Sequence, residues 1–229
     1  MAKAPVKKHS TFIDMTAMSD VTVLLLTFFM LTSTFVKKEP ITVTTPASVS
    51  EIKVPETNSM TILVDEQGKI FLSMDNMNDL VEITKLVGAD YGVSFTESQM
   101  DALRKITTFG VPITKLPAYL DLTVEQQDKF MAEQLEIPNN PNVGIPADTL
   151  TSAAKLTYQG RSINEFQNWI RHARAVDLQD GSKDLELVIK ADRTTRYEVV
   201  KNIMNNLRDL RENRYLLVTS LRASSSGNE

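Results

Sequence analysis

The chain has 229 residues, 42% of them hydrophobic, with no cysteine, two histidines and a formal net charge of −4. That length suits one modest domain with appendages or two small ones, and the mild acidity without a basic, aromatic-interleaved stripe argues against nucleic acid as a partner. Absence of cysteine excludes disulfides and thiolate metal sites, and His9 and His172 stand far apart, so no metal or cofactor is expected and an enzyme is disfavoured.

Residues 1–16 form a polar N-terminal tail carrying Lys3, Lys7 and Lys8. Residues 21–36 then read VTVLLLTFFMLTSTFV, without a charge, and adding residues 17–20 gives twenty residues, the length a helix needs to cross a bilayer. The slight basic bias before this span favours a cytoplasmic N-terminus with the remainder exported. The exit, STFVKKEP, offers no small-x-small cleavage site, so an uncleaved transmembrane helix over 17–36 is the expectation. A plain anchor would need no acid, yet Asp20 lies at the start of the span. A carboxylate inside a spanning helix costs about 3 kcal/mol on insertion scales and usually faces protein or water with a function. Thr16, Thr27 and Thr34 fall near the same helical stripe as Asp20. That stripe resembles a wet, partner-facing side, although threonine hydroxyls in membrane helices also bond to their own carbonyls.

Residues 37–58, rich in Thr, Ser, Pro and Val, read as an extended linker whose ITVTT and EIKV pieces suit edge strands. Residues 60–74 are a hairpin candidate, with TILV and KIFL flanking a turn that contains Gly68. The middle, about 77–160, is mainly helical: LVEITKLV ends at Gly88, and Thr96-x-x-Gln99 and Thr123-x-x-Gln126 are capping boxes. The Pro/Asn-rich stretch over 137–146 must be loop. Ser162-x-x-Glu165 caps a helix with Ile163, Phe166, Trp169, Ile170 and Ala173 on one face, and Trp169 is a core residue rather than a binding aromatic. LELVI is a strand, and Thr195-x-x-Glu198 caps a helix that turns Val200, Met204 or Ile203, Leu207 and Leu210 inward. YLLV is the last strand, and residues 222–229 form a disordered tail. Asp148 and Asp192 serve as caps or turn residues. The fold class is therefore a single transmembrane α-helix followed by an exported α/β domain over 59–221. Its helices pack on one face of a small mixed sheet, and 77–160 form a mainly helical insertion.

Residues 12–21, FIDMTAMSDV, running into LLLTFFMLTSTF, resemble the N-terminal signature of the ExbD/TolR family, with Ala17 where that family usually carries proline. LVIKAD at 187–192, followed by Tyr197-Glu198 and an apolar helix, resembles the same family's C-terminal element. The resemblance implies that Asp20 is the proton-carrying membrane aspartate and that protons are the coupling ion. It implies an inner-membrane, single-pass subunit with a periplasmic domain. Its partners would be an ExbB-like ring, a second copy of itself and a TonB-like protein spanning the periplasm. Two rivals remain at this stage. One is a TolR-like or other envelope or gliding motor subunit with the same mechanism; the other is a signal-anchored periplasmic binding module that uses no proton.

Overall fold

The computed structural model describes residues 15–32, 47–48, 58–138, 140–148, 156–179, 185–218 and 220–221. The chain divides into two compact units, Met1–Lys37 and Lys38–Glu229. In the first, α1 spans Met15–Thr32, beginning two residues before the expected start of the span at 17. Residues 33–36 of the expected span, the ITVTT and EIKV pieces and the 222–229 tail lie outside the described residues. From the linker, β1 (Ala47–Ser48) pairs in parallel with β9 (Ser220–Leu221).

The second unit is built on a mixed sheet. β2 (Ser59–Val64) and β3 (Ile70–Met74) form the expected antiparallel hairpin. Its turn closes with Gly68 N–H donating to Asp65 O at 3.1 Å. Gly68 has φ +83°, a conformation that costs glycine little. β7 (Glu186–Ala191) lies parallel to β2 on the other side, and β8 (Tyr215–Leu217) lies parallel to β7. β7 is buried at Leu187, Val188 and Ile189, the continuous apolar reading of a central parallel strand. Between β7 and β8 runs α7 (Tyr197–Asp209), the crossover that parallel neighbours require.

The middle segment is woven into this domain. It contributes α2 (Met77–Asp90), α3 (Glu97–Leu103), β4 (Thr108–Phe109), α4 (Leu116–Leu120), α5 (Val124–Leu135) and β5 (Leu156–Tyr158), and β6 (Arg161–Ile163) follows directly after it. It is mainly helical, as read from sequence, but β4 also extends the sheet to the order β4-β3-β2-β7-β8. Phe109 thereby meets Trp169 of α6 (Glu165–Gln179) with ring centroids 5.0 Å apart. Phe71 lies so close to Gly110 that a Cβ there would sit 2.1 Å from the Phe71 ring, so only glycine fits. Trp169, Phe166, Ile170 and Ala173 are all fully buried, which makes Trp169 a core residue.

Local signals succeeded and failed for identifiable reasons. Both middle capping boxes are present, at Thr96–Gln99 and Thr123–Gln126. α2 continues past Gly88 to Asp90, because Gly88 is needed for the close approach of Phe95 and Val93 O rather than for ending the helix. The box that opens α6 is Asn164–Gln167, with Gln167 N–H donating to Asn164 Oδ1 at 2.8 Å and Asn164 N–H to Gln167 Oε1 at 3.1 Å. Ser162 sits in β6 instead. Nor does Thr195 cap α7: its hydroxyl donates to Asp65 O at 2.7 Å, and Arg196 is the N-cap without a side-chain bond. In both cases a tertiary contact or a neighbouring amide took over the helix end. Asp192 is a turn residue, accepting from Thr194 N–H at 2.8 Å.

Candidate functional site

The 18 residues of α1 have a mean hydropathy of 1.6 and none is buried, so the helix is long and apolar enough to cross a membrane. Its large side chains are open, from Leu25 at 55% to Leu31 at 86% exposure. Such a surface in water is unfavourable by about 25 cal/mol per Å² of apolar area, so the helix calls for apolar surroundings. Asp20 lies in the second turn and is exposed. Thr16 lies on the same helix. The Thr27 hydroxyl donates to Leu24 O at 2.9 Å, satisfying itself on its own backbone, as do Thr22 to Met18 O at 2.7 Å and Thr32 to Phe28 O at 2.8 Å. This is the self-bonding alternative to a wet stripe, and it lets a hydroxyl ride in an apolar helix at low cost. Thr34 lies outside the described residues.

The second unit holds another polar constellation that the sequence reading did not single out, where α2 ends against α6. Asp90 accepts from His172 Nε2 at 2.7 Å and from Asn168 Nδ2 at 3.0 Å, and pairs with Arg171. Burial alone would raise the Asp90 carboxyl, but the His172 and Asn168 hydrogen bonds and the Arg171 charge hold it below its ordinary value. Arg171 also lies over the Tyr158 ring, 4.9 Å from its centroid, tying the β5–β6 hairpin to the same point. Beside this group Glu165 is fully buried, accepting from Ile113 N–H at 2.8 Å and from Trp169 Nε1 at 3.5 Å. Burial pushes its carboxyl up to about 7, more than those two hydrogen bonds lower it. The sequence signal for Glu165 was its spacing. It stands one residue before Phe166 and four before Trp169, on the apolar face of α6 rather than on the cap. Among the described residues no group of three or more His, Cys, Asp or Glu is placed to hold a metal ion.

A family model described as "Biopolymer transport protein ExbD/TolR" matches residues 6–102, from ahead of α1 into α3. The match takes in Asp20, the β2–β3 hairpin and α2, so it reaches beyond the N-terminal signature into the middle segment. The C-terminal element that begins with LVIKAD at 187–192 lies outside the matched residues. No curated protein and no solved structure matches the chain.

Proposed function

We propose that the chain, whose residues 6–102 match the ExbD/TolR family model, is the proton-coupled subunit of an inner-membrane motor. Asp20 carries the proton. The helix passes through an ExbB-like ring, two copies act together, and the periplasmic domain engages a TonB-like protein to drive outer-membrane transport. The observation that carries this reading is the placement of Asp20 in an exposed, otherwise uncharged helix of 18 residues within the family match.

The physical argument concerns what surrounds the acid. In a low-dielectric setting a charged carboxylate is costly, so ionised Asp20 prefers a polar position and neutral Asp20 an apolar one. Each proton taken up and released shifts that preference, and with it the position of helix against ring. Moving one charge through 100 mV makes about 2.3 kcal/mol available, enough to shift a two-state contact nearly fiftyfold. The test is Asp20→Asn in cells. Membrane level and co-purification of the ring persist while energy-dependent uptake is lost, and Asp20→Glu retains part of it. Normal uptake by Asp20→Asn contradicts the proposal.

A further inference from the structure

Glu165 joins two parts of the domain that are far apart in sequence. Its Oε1 receives the Ile113 N–H, 52 residues away, at 2.8 Å. Residues 110–113 follow β4 and carry Val111 and Ile113, both fully buried. They are also linked to the loop after α5, through Gly144 N–H to Gly110 O at 2.7 Å, and that loop reaches β3 through Ile145 N–H to Ile70 O at 2.9 Å. Pro146 O then accepts from Phe166 N–H at 3.0 Å, returning the connection to the start of α6. The carboxyl thus stands at the junction of the middle segment with the helix that forms the core.

We propose that Glu165 is a proton-operated latch, which holds residues 110–113 against α6 when protonated and favours their release when ionised. A neutral carboxyl keeps its carbonyl oxygen for the Ile113 N–H and places no charge among Phe166, Trp169 and Phe109. An ionised one must hold a full charge away from water, and local opening is the route by which it regains hydration. The raised carboxyl, at about 7, agrees with burial outweighing the two donors.

The charges around the latch do not replace it. From α2 the facing groups are Asp90 and Tyr91, whose phenol is pushed up by burial and by the Glu165 and Asp90 charges. From α6 itself they are Arg171 and His172, both engaged with Asp90. From β5 the neighbour is Tyr158, beneath Arg171. Lys115, next to the latched residues, turns its ammonium to Asn142. The inference concerns the exported domain and holds whether or not Asp20 carries protons.

Amide hydrogen exchange on the full chain in detergent micelles tests it, read by mass spectrometry at pH 5.5 and 7.5 and corrected for intrinsic base catalysis. Protection over 110–113 is expected to fall roughly tenfold or more from the lower to the higher pH. Glu165→Gln, neutral and still able to accept the Ile113 N–H, shows the same protection at both. Unchanged protection in the unsubstituted chain overturns the proposal. So does a pH dependence that survives in Glu165→Gln and vanishes in His172→Gln. Should Glu165→Gln fail to fold, a carboxyl carbon-13 titration of the unsubstituted chain decides. One glutamate with a midpoint near 7 upholds the latch, and all of them below about 5 overturn it.

Discussion

Asp20 and Glu165 are acids in opposite settings, and the contrast separates the two units of the chain. α1 keeps every side chain exposed, Thr22, Thr27 and Thr32 satisfied on their own helix's carbonyls and its one acid turned outward. The second unit buries Trp169, Phe71, Phe109 and Phe166 completely, and takes Glu165 down with them, held by Ile113 N–H. A helix with no interior of its own leaves its acid open to whatever surrounds it. A domain with a packed interior places its acid for a segment of itself. The same residue class is therefore left open on an apolar helix in one unit and bonded to a backbone amide of its own chain in the other.

The largest effect that sharpens this contrast is in the core. Trp169→Ala removes the ring that Phe109 packs against and is expected to cost about 3–5 kcal/mol of domain stability, measured by circular dichroism in urea. A loss below about 1 kcal/mol would break the picture of a single close-packed interior. Next comes pH. The Glu165 carboxyl is raised from an ordinary 4.5 to about 7 on folding, so the folded state binds the proton more tightly. Its contribution is fully present below pH 4.5 and is lost as pH rises towards 7. That corresponds to a fall of about 2 kcal/mol between pH 5 and 7 in urea titrations, absent in Glu165→Gln. The smallest effects are at helix ends. Thr123→Ala is expected to cost about 1 kcal/mol, because its hydroxyl receives Gln126 N–H, whereas Ser162→Ala leaves the start of α6 intact, since Asn164 is the cap there. Equal losses at the two positions would return the α6 cap to Ser162.

Much of this was legible from residues alone. The apolar run betrayed α1, the short apolar runs TILV and KIFL on either side of the Gly68 turn betrayed the β2–β3 hairpin, and Thr-x-x-Gln spacing located α3 and α5. What was illegible depended on contacts made at long range. β4 is two residues long and becomes a strand only because β3 offers an edge. Ser162-x-x-Glu165 looks like a cap, but Glu165 is drawn inward by Ile113, and a second box two residues further on takes the helix end. Thr195 likewise answers to Asp65, 130 residues away, rather than to its own helix. Among site residues, Asp20 stood out because a charge interrupts an apolar span. Glu165 was hidden because a charge at a helix start is ordinary until the burial around it is known.

The central claim is that Asp20 moves protons, and proton flux tests it most directly. The chain would be reconstituted with its ring partner in liposomes carrying an imposed pH gradient and a membrane potential, with flux followed by an entrapped pH-sensitive dye. The unsubstituted complex is expected to dissipate the gradient, and Asp20→Asn, incorporated at the same level, to hold it as protein-free liposomes do. Equal proton flux through the Asp20→Asn complex would contradict the account.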